Sequence, residues 1–320
     1  MIGRRLVTIP GCLLLTVLVS LLLPVLLTIA WLIGRLPACR GAVTMLGLAV
    51  GYLWCETIGI LAAAAIWLRY RERKVFLEAN YRLQCWWAQT LKNLAARLFN
   101  LEFETSGLEA LAGTGVLMLP RHASIADTLI PMVFYAIPER VRLRYVLKRE
   151  LLLDPCLDIV GNRLPNCFVE RDGQDSERAA AGIAALVEGM EPDEGLLLYP
   201  EGTRFSAARA RSLRTRWQTD PKRLAQLDRW THVLPPRTGG FLAALDANPG
   251  RDLVFCAHTG FEGSSHFRTL INGAWSGTRV RIHFWRIPFE AIPGDREARV
   301  SLLFEQWDRM DRWVSLHAST

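Results

Sequence analysis

The sequence predicts an α/β protein that carries an N-terminal membrane-spanning helical hairpin. Three observations lead there. Two long apolar runs precede residue 74. Nearly all the surplus positive charge lies in that same stretch. From about Gly107 onward, short apolar runs alternate with helical stretches, the pattern of a layered strand–helix fold.

The chain has 320 residues, 51% of them hydrophobic and 22% charged, with a formal net charge of +7. That length holds one or two domains with a real core. Charge is too low and aromatic residues are too plentiful for a disordered chain. Seven cysteines, without a CxxC pair, do not make a disulfide-stapled secreted scaffold. The thiols are expected to be reduced, facing the cytosol or buried in a membrane. Residues 1–74 hold eight Arg or Lys against two Glu, while the remainder holds 30 basic and 29 acidic residues. A nucleic-acid-binding domain would carry its basic face on the folded part, so that class is excluded.

Leu6 to Ile33 contains no charge, and Gly41 to Leu68 only Glu56. A bilayer core of about 30 Å needs roughly 20 helical residues, so both runs must tilt or kink. Pro24 is the natural kink point. The short link Gly34–Arg40 reads as a tight hairpin turn. A cleavable signal peptide fits poorly, because the first run is too long and a second follows it. Arg4, Arg5, Arg69, Arg71, Arg73 and Lys74 lie to one side, against Arg35 and Arg40 on the other. Positive-inside counting then puts both ends in the cytoplasm. The chain is expected to be an integral membrane protein with its folded domain on the cytoplasmic face (the inner membrane, if bacterial). Glu56 either faces the partner helix or signals a hairpin lying shallowly in one leaflet; we expect spanning.

The expected organisation is a membrane hairpin over 1–74, an amphipathic interfacial helix or linker over 75–106, and an α/β domain over 107–320. In the middle segment Val75, Phe76, Ala79, Leu83, Trp86, Trp87, Leu91, Leu94 and Leu98 recur at helical spacing. This helix lies on the membrane surface, packs on the soluble domain, or does both. Expected strands are Val116–Pro120, Leu143–Lys148, Cys167–Arg171, Leu196–Pro200, His232–Pro235, Leu253–Ala257 and Arg279–Trp285. Expected helices fall near Ser124–Ala136, Gln174–Gly189, Gly239–Asn248 and Glu297–Leu316. In such folds chemistry collects at strand ends.

Three constellations carry chemistry. In Pro120-Arg121-His122-Ala123-Ser124-Ile125-Ala126-Asp127 a strand gives way to a helix, so His122 sits in the turn. Five residues along one continuous helix would leave Asp127 roughly 140° out of phase with it; the turn removes that constraint. Such a carboxylate fixes the imidazole tautomer and stabilises the imidazolium. Alone, the pair is also explained by a carboxylate at a helix N-terminus. In Tyr199-Pro200-Glu201-Gly202-Thr203-Arg204 a turn presents Glu, Gly, Thr and Arg together. Gly permits close backbone approach and Arg forks onto phosphate or carboxylate; a loop ion pair between Glu201 and Arg204 explains it equally. Lys148 and Arg171 close two expected strands and, with Arg204, begin to define an anion pocket.

The order HxxxxD, then Phe168-Val169-Glu170-Arg171, then Pro200-Glu201-Gly202-Thr203-Arg204, then Val233-Leu234-Pro235-Pro236-Arg237-Thr238-Gly239-Gly240 resembles the glycerolipid acyltransferase family. Its typical members are 1-acylglycerol-3-phosphate and lysophospholipid acyltransferases. The resemblance spans about Gly107 to Pro288. It implies a glycerol-phosphate-acyltransferase-like α/β domain, with a central mixed sheet of about seven strands flanked by helices. It implies His122 as general base, Asp127 as its orienting group, and direct attack of a glycerol hydroxyl on an acyl thioester. Lys148, Arg171, Glu201, Gly202, Thr203 and Arg204 would hold the substrate phosphate, and Pro236 and Arg237 would line the acyl-donor side. The implied partners are the lipid bilayer, a lysophospholipid, and acyl-CoA or acyl carrier protein as co-substrate. No metal, no cofactor and no nucleic acid is implied. The expected acceptor is lysophosphatidic acid, with another lysophospholipid or an aminolipid as the alternative.

The sequence departs from the family where Arg121 replaces the usual Asn, and Glu170 replaces a frequent Asp. Residues 205–231 carry seven Arg or Lys against two Asp. They form a solvated excursion or a surface attracting anionic lipid or CoA phosphates. Rival chemistries lack their signatures: no G-x-S-x-G elbow exists, and His258 and Glu262 do not make HExxH. A catalytically inactive membrane scaffold is the alternative from another class, and the intact His122–Asp127 pair argues against it.

Overall fold

Buried apolar runs set the strands. A computed structural model describes residues 2–113, 115–169, 176–262 and 267–318. The strands are β1 (Glu102–Ser106), β2 (Leu117–Pro120), β3 (Arg142–Lys148), β4 (Cys167–Val169), β5 (Glu194–Leu197), β6 (Leu253–Thr259) and β7 (Arg279–Ile287). They form a seven-stranded sheet in the order β1-β7-β6-β2-β5-β3-β4. β2 pairs parallel with β5 and β6, and β3 parallel with β5, whereas β6 and β7 are antiparallel, so the sheet is mixed. The chain divides into two compact units.

The first unit comprises residues 1–102, 147–171 and 266–278. It holds α1 (Ile2–Leu21), α2 (Leu23–Ile33), α3 (Ala42–Arg69), α4 (Arg73–Phe99), α5 (Pro155–Gly161) and α10 (Phe267–Ile271), the last numbered by its place in the chain. The first apolar run breaks at Leu22, ahead of Pro24, as the sequence predicted. Among the described residues two helices are long and apolar enough to cross a bilayer, and Leu6, Val7, Leu14, Leu21, Leu61 and Leu68 stand exposed on them. α3 runs beside α4. Its small residues permit this: a Cβ on Gly51 would meet Leu94 at 2.3 Å, and one on Gly59 would meet the Cys156 sulfur at 2.5 Å. Glu56 faces neither lipid nor α1. It is 1% exposed, with Oε1 accepting from Trp87 of α4 at 2.7 Å and Oε2 from the Cys156 amide of α5 at 3.1 Å. Asp158 is buried and accepts from both Arg4 and Arg5, which ties the start of α1 to α5.

The second unit comprises 103–146, 172–265 and 279–320. It holds α6 (Ser176–Val187), α7 (Ala207–Arg216), α8 (Pro221–Arg229), α9 (Thr238–Asp246) and α11 (Arg296–His317). β2 and β6 supply its centre: Leu117, Met118, Leu119, Val254, Phe255 and Cys256 are at most 2% exposed. α11 covers them with Leu303, Trp307, Met310 and Val314, one stripe at spacings of four, three and four. Trp307 meets Phe255 edge-on and donates to the Leu234 carbonyl at 3.1 Å.

Three expectations about elements need correction. His232–Pro235 is not a strand: Pro235 and Pro236 have no N–H, and the amides of His232 and Leu234 go to the Asp311 and Glu201 carboxylates. The seventh strand is β1 instead, whose Glu-Phe-Glu-Thr-Ser sequence gives no apolar signal. The helix expected over Ser124–Ala136 is a 3₁₀ turn (Ala126–Leu129) followed by a π turn (Met132–Ala136). There the Asp127 side chain takes up the amides that an α-helix would leave open.

Candidate active site

The site forms where β2 and β5 end side by side. Their register pairs Met118 with Leu197, so four residues further on His122 stands level with Glu201. On the other flank Pro120 pairs with Cys256, which puts His258 level with His122. Loops at the carboxyl ends of adjacent parallel strands are the usual place for ligands in such sheets.

His122 and Asp127 meet as the spacing predicted. The imidazole Nδ1 lies 3.0 Å from Asp127 Oδ1, in a side chain 10% exposed, beside a fully buried carboxylate. Asp127 Oδ2 also accepts the amides of Ala123 at 2.6 Å and Ser124 at 2.7 Å. Burial opposes its negative charge, but the His122 and His258 rings outweigh burial and hold the carboxyl below its ordinary range. An ionised acceptor at Nδ1 assigns the proton there, leaving Nε2 with its lone pair and no partner among the described residues. The Tyr199 ring lies against the imidazole at a centroid distance of 4.5 Å.

The backbone of His122 is clamped at both ends. Its amide donates to Glu201 Oε1 at 2.7 Å, and its carbonyl accepts from the Phe205 amide at 2.6 Å. Glu201 Oε2 accepts from the Leu234 amide at 2.9 Å. Both oxygens of this 2%-exposed carboxyl are therefore engaged with main chain, and Glu201 braces the turn instead of facing a ligand. Burial, only partly offset by those amides, pushes it up to about 8. No ion pair joins Glu201 to Arg204 among the described residues. Gly202, at φ +64°, lets the turn close. Thr203 and Arg204 remain partly exposed beside it. Pro236 is buried, and the Arg237 amide donates to the Pro200 carbonyl at 2.8 Å. Lys148 ends β3 in the first unit; Arg171 lies outside the described residues.

Two residues acquire roles the sequence did not suggest. Arg121 is wholly buried. It donates to the His232 carbonyl at 3.0 Å and the His258 carbonyl at 2.6 Å, and pairs with Glu262. His258 is also wholly buried, with Nε2 at 3.2 Å from the Arg121 carbonyl and 3.5 Å from Asp127 Oδ2, while its Nδ1 has no partner among the described residues. Asp127 thus lies between two imidazoles. Only strand register could have revealed this, since 127 and 258 are far apart in sequence.

An imidazole with one nitrogen fixed by a carboxylate and the other free is equipped to remove a proton from an alcohol. Residues 102–257 match the family model described as Acyltransferase. They form an acyltransferase domain. The match covers just under half of the chain and marks it as an acyltransferase enzyme. The fold agrees with the crystal structure of the 1-acyl-sn-glycerophosphate (LPA) acyltransferase PlsC from Thermotoga maritima. The TM-score is 0.54 at 14% identity, over 86% of this chain and 98% of that one. No curated protein matches by sequence. The acyltransferase domain begins at β1 and ends on β6, and His258 falls one residue beyond the matched segment.

Proposed function

We propose that this acyltransferase moves a fatty acyl group from a thioester donor to the free hydroxyl of a lysophospholipid, with lysophosphatidic acid as the acceptor and phosphatidic acid as the product. The observation that carries this reading is the His122–Asp127 contact, with Nε2 left free at the end of two parallel strands. His122 Nε2 takes the hydroxyl proton as the oxygen bonds to the thioester carbonyl carbon. The C–S bond then breaks, and the imidazolium returns the proton to the departing thiolate. Asp127 holds the ring and balances its transient charge. Thr203 and Arg204 hold the acceptor phosphate, the guanidinium supplying a fork. This chemistry calls for no metal or cofactor.

The apolar helices seat the enzyme on a membrane, where its acceptor resides. Of the two readings of the hairpin, the packing favours a seat in one leaflet. Gly41, in the hairpin turn, donates to the Ile271 carbonyl at 2.8 Å, in the connection between β6 and β7. A 28-residue helix spans about 42 Å. A spanning α3 would draw that polar connection, and the charges on neighbouring α4, through the hydrocarbon.

The test is an assay of purified protein in detergent, offering lysophosphatidic acid and other lysolipids against acyl-CoA and acyl carrier protein. Phosphatidic acid should form, and His122→Ala should lower turnover by about 10²–10⁴-fold. Near-normal turnover in that variant would refute the base assignment.

A further inference from the structure

A carboxylate beside a general base acts in two ways. It fixes the ring, yet its full negative charge also holds the imidazolium and retains the proton. A base is of use only where it stands deprotonated at the working pH. Groups that draw charge off the carboxylate therefore decide where that happens.

Asp127 meets His122 most closely through Oδ1. Its other oxygen, Oδ2, accepts the Ala123 and Ser124 amides and faces His258 Nε2 at 3.5 Å. The Arg121 carbonyl, 3.2 Å from the same nitrogen, can only accept, so Nε2 carries the His258 ring proton. Behind His258 stands a second pair. The buried Arg121 guanidinium donates to the His258 carbonyl and pairs with Glu262, whose Oε2 accepts the Gly260 amide at 2.6 Å. Glu262 is the end of this layer that meets solvent, its side chain 36% exposed. Arg121 directly precedes His122 in the chain. Its charge opposes a second cation on the catalytic ring, and Glu262 moderates that opposition.

Among the described residues, the other titratable groups facing the His122–Asp127 pair are Tyr199 and Glu201, after β5, and Cys256 on β6. Burial, then the Asp127 charge, pushes the Tyr199 hydroxyl and the Cys256 thiol well above their ordinary values. Burial pushes Glu201 up to about 8. All three stay protonated below neutrality, where an imidazole base gains and loses its proton.

We propose that His258 and the Arg121–Glu262 pair form a positioning layer that sets the pH at which His122 becomes free to act as base. His258 draws charge from Asp127 and so eases the proton off His122. Glu262 works in the opposite sense, by shielding Arg121. The proposal rests on the acyl-transfer reading above and adds to it the control of the base.

The experiment measures kcat and lysolipid KM between about pH 5 and about pH 9, using the full chain in detergent micelles. The proteins are wild type, His258→Leu, His258→Gln and Glu262→Gln, each with its melting temperature at every pH. The acceptor phosphate titrates alike in all four, so only differences between them count. The acid limb of kcat/KM should move up by about one pH unit in His258→Leu and return close to wild type in His258→Gln. In Glu262→Gln it should move down by about half a pH unit, since solvent screens part of the lost charge. Opposite directions mark the layer, because a packing defect lowers turnover at every pH and leaves the limb in place. Limbs that coincide with wild type, or that move the same way in His258→Leu and Glu262→Gln, overturn the proposal. Should His258→Leu fail to fold, Glu262→Gln decides alone, and an unmoved or raised limb there overturns it. All of these outcomes leave the acyl-transfer reading standing. Absence of product from wild type with any lysolipid sinks that reading, and the layer with it.

Discussion

His258 shows what a side chain can do without any signature in sequence. It is buried against Asp127 on the side opposite His122, and nothing in an Ala-His-Thr strand marks it. Its Nε2 is the group that reaches the Arg121 carbonyl and the carboxylate edge. His258→Leu removes that donor, and kcat should fall by about tenfold with little change in lysolipid KM, since the loss is one hydrogen bond to the bracing layer. His258→Gln restores an N–H at a similar reach and should recover most of the turnover. Equal turnover in the two variants would assign His258 to packing alone. Arg121 makes a related point. The sequence marks it only as a departure from the family's Asn, yet it is a buried cation tied to two carbonyls and Glu262. Arg121→Ala should destabilise the fold by about 3–5 kcal/mol, read as a lowered melting temperature, because its partners would be stranded. By contrast, the His122–Asp127 pair was legible from the start, because both members sit in one turn and local spacing decides whether they meet.

At the scale of elements, the turn after β5 is held by a carboxyl that titrates within the working range. Glu201 is pushed up to about 8 from an ordinary value of 4.5, chiefly by burial. A folded value above the unfolded one means the carboxyl favours folding fully at low pH, and that this contribution is lost as pH rises through about 8. Asp127 runs the other way: its folded value is depressed, so its contribution is present at neutral pH and is lost only in acid. The two together predict a melting temperature that declines as pH rises from 4.5 to about 8. Glu201→Gln removes the alkaline titration, so the gap between wild type and variant should narrow from about pH 5.5 to about pH 9. A gap that stays constant would mean the carboxyl is ionised throughout that range. The turn itself was readable, from Pro200-Glu201-Gly202-Thr203-Arg204. The bracing role of its Glu was not, because the register that sets Glu201 beside His122 belongs to two strands separated by β3 and β4 in sequence. The same limit hid β1, whose single Phe carries no periodicity, and made Val233-Leu234-Pro235 look like a strand when its amides serve side chains instead.

For the whole molecule, hydropathy found the two apolar helices and their Pro24 break correctly, because both depend only on local composition. It could not say how deep they lie. Length alone allows α3 to span; its packing supports the proposed seat in one leaflet instead. The Gly51 and Gly59 positions bring α4 and α5 hard against α3, Glu56 is satisfied by both neighbours, and the hairpin turn touches the β6–β7 connection. These contacts support the proposed seat in one leaflet, with the faces bearing Leu6, Leu14 and Leu61 left exposed. The native Cys39 in the hairpin turn reports which arrangement holds. With the other cysteines replaced, a membrane-impermeant maleimide applied to inverted vesicles should label Cys39, and also a cysteine introduced at the exposed Arg211 of α7. A seat in one leaflet predicts that both react from the same side. A hairpin that crosses the bilayer predicts that Cys39 reacts only from the opposite face, which would require α3 to separate from α4 and from the Ile271 carbonyl.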